Sequence, residues 1–207
     1  MIDSYSSIKE GVFTLEIKRS EFIAYSFPVE SEDDAAEKLA AVRKKHYDAR
    51  HVCYAFVADE DGMIARFSDD GEPSGTAGKP ILDVIKKNGL KKSLIAVVRY
   101  FGGILLGAGG LTRAYSDSAA GVVKQCGAVT FTKKSLLSLK TDYSTYKKIS
   151  AAIKNAGETV SVEYDSAVTA TLACDNAEKA NALLTEMTKG TAEVKILGEK
   201  YFASEGK

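Results

Sequence analysis

Two α+β domains are what this sequence predicts, and three observations carry the prediction. Its 207 residues exceed the roughly 100–150 typical of one domain. Apolar residues recur every second position in some stretches and at helical spacing in others, so strands and helices alternate along the chain. From residue 136 onward the order strand, helix, strand, strand, helix, strand reads off directly, which is the ferredoxin-like succession. The domains are placed at 1–130 and 134–207, on either side of a basic, polar joint.

Phe13, Leu15 and Ile17 share one strand face, and after a turn at Lys18-Arg19-Ser20-Glu21 so do Ile23, Tyr25 and Phe27, which predicts a hairpin. Ser31-Glu32-Asp33-Asp34 is a capping-box start for a helix that ends near Tyr47 and carries Ala35, Leu39, Val42 and His46 on one face. Residues 51–58 and 63–68 read as an antiparallel pair turned at Glu60-Asp61-Gly62. A polar, turn-rich loop fills 68–78, and the helix after it has Pro80 in its first turn and Asn88-Gly89 at its end. The run 93–101 is almost wholly apolar apart from Arg99, the pattern of a central buried strand. Gly102, Gly103, Gly107, Gly109 and Gly110 break it, and a helix is expected from Leu111 to a stop at Gly127. In the second half, strands are expected at 136–141, 160–164, 168–172 and 192–196. One helical stripe runs through Tyr146, Ile149, Ile153 and Ala156, and another through Ala177, Ala180, Leu183, Leu184 and Met187.

Composition excludes several classes. Apolar residues make up 45% and charged residues 27%, so the chain can fill two cores and is not disordered. No run approaches the roughly 20 apolar residues of a membrane span, and the start has no secretory pattern, so a cytoplasmic protein without a membrane partner is expected. Cys53, Cys126 and Cys174 are odd in number and widely spaced, as reduced packing residues are. Lys and Arg total 28 and so do Asp and Glu, so no global field draws the chain to nucleic acid. Locally, Asp59, Glu60, Asp61, Asp69, Asp70 and Glu72 face a single base, Arg66. Lys79, Lys86, Lys87, Lys91, Lys92, Arg99 and Arg113 then face only Asp83. A binding surface would show this segregation, and so would two solvated loops.

The segment 99–113 is the most informative for chemistry. Glycines admit positive φ and close approach, and a strand, Gly-loop, helix junction presents free N–H groups at a positive dipole end, an anion cradle. Its spacing fits neither the P-loop nor the dinucleotide fingerprint, and a tight packing turn would use the same glycines. Arg99 near the end of a buried strand needs a partner, either an anionic ligand or an internal acid. Asp69, Asp70 and Glu72 are the internal candidates, for Arg99 or for Lys79. His51 and Cys53 share a strand face, but their side chains run parallel about 7 Å apart, too far for direct proton transfer. No metal-ligand spacing occurs. Lys86, Lys87, Lys91 and Lys92 with Tyr100, Phe101, Arg113 and Tyr115 interleave bases with aromatics, as phosphate contact plus stacking requires. They also suit a merely wet edge.

Three segments together resemble the Impact/YigZ family: Asp48-Ala-Arg-His-x-Cys53, Ser68-Asp-Asp-Gly-Glu-Pro-x-Gly-Thr-Ala-Gly-Lys-Pro80, and Val97-Val-Arg-Tyr-Phe-Gly-Gly-Ile-Leu-Leu-Gly107 continuing to Tyr115. The resemblance spans 18–127, and the C-terminal half is similar to the small ferredoxin-like domain of bacterial YigZ proteins. It implies a first domain with the left-handed βαβ fold of a small-subunit ribosomal protein, and a second like the last domain of elongation factor G. It also implies a non-catalytic cytoplasmic protein of translation or its regulation, binding structured RNA or a ribosome-associated protein and using no cofactor or metal. Arg50, His51, Asp69, Asp70, Glu72, Gly75, Thr76, Lys79, Arg99, Tyr100 and Arg113, with the five glycines of 102–110, are the expected contact residues. The alternative is an enzyme or sensor that holds a nucleotide or phosphorylated small molecule at Gly107–Gly110, as the related kinases do.

Overall fold

The computed structural model describes residues 3–204. They divide into two compact units, one running to Phe131 and including Ser204, the other Thr132–Ala203. In the first, β1 (Ser4–Ile8), β2 (Gly11–Ile17) and β3 (Ser20–Pro28) precede α1 (Glu32–Lys45), β4 (His51–Val57), β5 (Ala65–Ser68), α2 (Gly78–Lys87), β6 (Ser93–Tyr100) and α3 (Gly107–Cys126). Strands β2-β3-β6-β4-β5 form one sheet in that order. Both β3 and β4 run antiparallel to β6, so they run parallel to each other on either side of it, joined through α1 in a βαβ unit.

Sheet faces follow from alternation. Phe22, Ala24, Cys53, Ala55, Ile95 and Val97 face a layer made of α2 and α3. Tyr25, Val52, Phe56, Leu94, Ala96 and Val98 face α1. With helices on both sides, β6 is buried from Ser93 to Arg99, which is why its sequence is a continuous apolar run. The hairpin closes in two residues, Lys18 and Arg19, at φ 47° and 65°, the twist that two-residue turns need. Strand β1, Ser-Tyr-Ser-Ser-Ile, is too short and too serine-rich to show a sequence pattern; it pairs with β7 (Ala128–Thr141) and buries Tyr5 and Ile8, and polar contacts add to the hold. The Ser7 hydroxyl donates to the Lys92 carbonyl at 2.7 Å, and the Ile8 N–H donates to the Ser93 hydroxyl at 3.0 Å.

Helix α3 starts at Gly107 and not at Leu111 as the periodicity predicts. Buried positions begin only at Leu111, so the first turn carries no apolar side chain to mark it. Gly127, at φ 71°, is the helix stop the sequence predicts.

Strand β7 (Ala128–Thr141) begins in the first unit and continues into the second, where α4 (Tyr143–Ile149), a 3₁₀ turn (Ile153–Asn155), β8 (Glu158–Tyr164), β9 (Val168–Cys174), α5 (Ala177–Met187) and β10 (Glu193–Ala203) follow. Strand β7 pairs with β9, which pairs with β8, and β10 also pairs with β7, while β1 adds a fifth strand on β7; β10-β7-β9-β8, with helices after the first and third strands, is the ferredoxin-like arrangement. Two details differ from the sequence reading. The expected joint at 130–134 lies inside the continuous strand β7, and the stripe from Tyr146 to Ala156 is divided between α4 and the 3₁₀ turn. Ile149, Ile153 and Ala156 are nonetheless buried against Leu137, Leu139 and Leu172, because core contact needs only their common direction.

The end of α1 is fixed by a chain of polar side chains. Tyr100 donates its hydroxyl to Asp48 at 2.9 Å, so its oxygen accepts from His46 Nδ1–H at 2.9 Å. His46 Nε2 then accepts the Tyr25 hydroxyl at 2.7 Å. This pattern requires neutral imidazole. Burial first, then nearby Lys45, lowers the His46 pKa from its ordinary value. Unfolding stability should therefore be flat above the unfolded-state value of about 6.5 and decline as pH falls through it toward the lowered folded-state value. Urea titrations across this window should show that slope in the parent and not in His46→Gln; an unchanged slope in the variant would refute the assignment.

Candidate functional site

The three sequence motifs converge at the C-terminal end of β6, where they bind one another. Arg99 is 7% exposed, and its Nη1 donates to Glu72 Oε1 at 2.7 Å. The Tyr115 hydroxyl donates to the same oxygen at 2.9 Å. Phe22 and Phe101 lie against the guanidinium, each ring centroid 5.5 Å from Cζ. The Cys53 thiol is 3.4 Å from the Tyr115 oxygen and 3.0 Å from the Asp69 carbonyl. The partner that Arg99 was expected to need is thus the acidic loop, in the internal ion pair weighed from the sequence.

Loop 68–78 is organised by its own carboxylates. Asp69 accepts the amides of Gly75, Ala77 and Gly78 at 2.8–2.9 Å, and so anchors the start of α2. Its partial burial would raise the carboxyl pKa, but these three amides outweigh it and hold the group below the usual range. Asp70 takes both nitrogens of the Arg43 guanidinium at 2.9 and 3.0 Å and the Val52 amide at 2.7 Å. Burial works against these bonds, and again the bonds prevail. Thr76 is buried and donates to the Pro73 carbonyl at 2.6 Å. Lys79 points away and pairs with Asp83 on α2.

Other expected contact residues lie at the surface. Gly102 meets the hairpin turn, where an added Cβ would stand 2.0 Å from the Arg19 carbonyl carbon, and its amide donates to the Ser20 hydroxyl at 3.2 Å. An added Cβ at Gly103, Gly107 or Gly109 would meet open space, as it would at Gly75. No side chain caps the start of α3. Arg113 is exposed, with only a 3.6 Å contact to Asp117. Tyr100 is spent on His46 and Asp48, and alternation along β6 puts it on the opposite sheet face from Arg99. The structure therefore separates Tyr100 and Lys79 from the group, and brings Arg50, His51, Arg99, Phe101 and Leu105 around a cavity of about 160 Å³.

Segment 18–123 of this chain matches the family model of the Impact N-terminal domain. Over 206 residues the chain is 36% identical to the IMPACT family member YvyE of Bacillus subtilis, covering 94% of this chain and 92% of that one. The chain belongs to the IMPACT family. The IMPACT family member YigZ of Escherichia coli is 34% identical over 189 residues, 89% of this chain and 93% of the relative. A solved structure, titled as that of a hypothetical protein, is 32% identical and superposes with a TM-score of 0.66, covering 94% of this chain and 97% of that one.

Burial pushes the Cys53 thiol up to about 12, so it is protonated and a poor nucleophile at neutral pH. Burial first, then Cys53 and Glu72, raises the Tyr115 phenol far above its ordinary value. Among the described residues no three potential metal ligands come together. Sequence reasoning missed the roles of Tyr115, read as a helix-face residue and as an aromatic for stacking but buried at 0% exposure, and of Phe22, which lies on the strand face opposite to the stripe of Ile23, Tyr25 and Phe27. It also missed Leu105, which has no periodic signal.

The buried pair has a stability signature. Glu72→Gln leaves a buried guanidinium without its counter-charge and should cost about 3–5 kcal/mol. Arg99→Met in that background should cost much less than it does alone. A double-mutant cycle by urea denaturation that returned no coupling would remove the pair from the frame.

Proposed function

We propose that this IMPACT family member is a binding protein of the translation machinery rather than an enzyme, and that it engages a ribosome-associated protein through loop 101–106 and the first turn of α3. The observation that carries the reading is the exposure of Phe101, Ile104 and Leu105 at 54%, 42% and 82%, on a loop between two anchored elements. Large apolar side chains held in water on a fixed frame mark a protein contact, and flanking arginines such as Arg50 and Arg113 are frequent members of binding hot spots. Structured RNA is the other partner class the family resemblance implies. It draws less support here, because the guanidinium of Arg99 is already matched by Glu72 and leaves fewer free charges for phosphate.

Co-sedimentation with purified ribosomes and with ribosome-associated factors tests the reading. Phe101→Ala and Leu105→Glu should each weaken association by about tenfold or more, and Leu105→Glu should leave the unfolding midpoint unchanged, since that side chain is 82% exposed. For a protein partner the association should survive nuclease and vary little with salt. Loss on nuclease treatment with a steep salt slope would give the surface to RNA instead. Association with neither, or association indifferent to both substitutions, would contradict the proposal.

A further inference from the structure

The first sheet ends on β5 at one side and on β2 at the other, and the two edges differ. Strand β5 is four residues long and carries Arg66, short and charged as edges that must not pair commonly are. Strand β2 runs seven residues, Gly-Val-Phe-Thr-Leu-Glu-Ile, with no proline, no lysine and an unbroken register against β3. Its hairpin turns in two residues, so Ile17 and Ser20 bond each other, and Leu15, Phe13 and Gly11 follow as the positions bonded to β3. The N–H and C=O groups of Val12, Thr14 and Glu16 therefore point away from β3. Gln125 confirms the direction, because its Nε2 donates to the Val12 carbonyl at 2.8 Å. Among the described residues no other bond reaches the backbone of Val12, Thr14 or Glu16 on that side.

The side chains of this edge are as open as its backbone. Phe13, Leu15 and Ile17 pack against the core under α2 and α3 but are only partly buried, so that core stops at an uncovered margin. A second copy of the strand would cover it, and the charges choose the register. In an antiparallel pair related by a two-fold axis, only the outward residues 12, 14 and 16 can meet in bonded pairs, so the axis falls on Phe13, Thr14 or Leu15. An axis at Phe13 sets Glu10 opposite Glu16 of the other copy, a like-charge pair. One at Leu15 sets Val12 opposite Lys18 and leaves Glu10 unmatched. An axis at Thr14 sets Glu10 opposite Lys18 in both copies and Phe13 opposite Leu15. Glu10 and Lys18 are exposed, and neither enters an ion pair within the chain. Lys18, the first turn residue, stays in line with the strand, whereas Arg19 already crosses to β3.

We propose that β2 is a self-association surface, pairing antiparallel with β2 of a second copy about a two-fold axis at Thr14 and joining two five-stranded sheets into one. Val12 of each copy bonds Glu16 of the other, and the two Thr14 residues bond each other. Gln125, which holds the Val12 carbonyl in the single chain, is exposed and gives that carbonyl up to the partner strand. Phe13 and Leu15 of the two copies close the apolar margin, while Glu10 and Lys18 fix the register. The inference goes beyond the translation reading and does not rest on it, since it is measured on the purified chain alone.

The test is sedimentation velocity of the full-length chain at low ionic strength, from micromolar to near-millimolar concentration. The mass should rise from 22.2 kDa to twice that value. Thr14→Lys sets two ammonium groups face to face at the axis, and Lys18→Glu turns both attractive pairs repulsive. Each should weaken the dimer by about fivefold or more, with circular dichroism unchanged because both positions are exposed. Adding Glu10→Lys to Lys18→Glu restores opposite charges and should return the parent affinity. In the parent, the amides of Val12, Thr14 and Glu16 should exchange more slowly at high concentration than at low, and Thr14→Lys should abolish that gain. A chain that stays at 22.2 kDa throughout overturns the proposal. So does a dimer that leaves those three amides unprotected, which would form through another surface, or one whose affinity the double charge reversal fails to restore.

Discussion

The buried contact between Arg99 and Glu72 is the constraint from which the functional half of this molecule is arranged. A guanidinium and a carboxylate, each largely removed from water, are stable only while they satisfy one another. Their partners reach far along the chain. Glu72 belongs to the loop before α2, Arg99 to the central strand, and the Tyr115 hydroxyl on α3 completes the same carboxylate oxygen. One oxygen atom therefore ties three separate segments. Asp69 and Asp70 extend the tie, the first to the start of α2 and the second to α1 and the head of β4. The three acids of loop 68–78 are spent on holding structure.

That division between frame and display gives the site its character. The groups that look most reactive in the sequence, Arg99, Glu72, Asp69 and Cys53, are turned into the frame and bonded within it, the Nε of Arg99 apart. What faces outward is Phe101, Ile104, Leu105, Arg113 and an uncapped first turn of α3, carried on a loop that leaves the frame at Tyr100 and rejoins it at Leu111. Rigid supports with an apolar, partly basic loop between them fit recognition better than covalent chemistry.

Much of this was legible in the residues. Alternation and helical spacing placed most elements of both units, an unbroken apolar run placed β6, whose two faces both meet helices, and the βαββαβ order of the second half emerged from its short connections. Strand β1 was not legible, because its two buried apolar residues, Tyr5 and Ile8, do not alternate, and pairing with β7 and the hydroxyls of Ser7 and Ser93 supply the rest of the hold. The early start of α3 escaped for a related reason: Gly107 to Gly110 bury nothing. At the site, the sequence left the partner of Arg99 open between an outside anion and the loop acids, and could not choose among Asp69, Asp70 and Glu72. All three are acids in one turn-rich loop, and only the path of the backbone decides which carboxylate turns inward. The role of Tyr115 was hidden because its ring satisfies the helical core pattern whether or not its hydroxyl has a partner.

Amide hydrogen exchange in Glu72→Ala measures the frame most directly. If a single carboxylate ties the segments, protection should fall together at the amides of 75–78, at the end of β6 and along the first turns of α3, while α1 and the second unit keep theirs. Exchange that quickened only beside residue 72 and left α3 protected would mean that the loop and the helix are held separately, and the central tie would be lost.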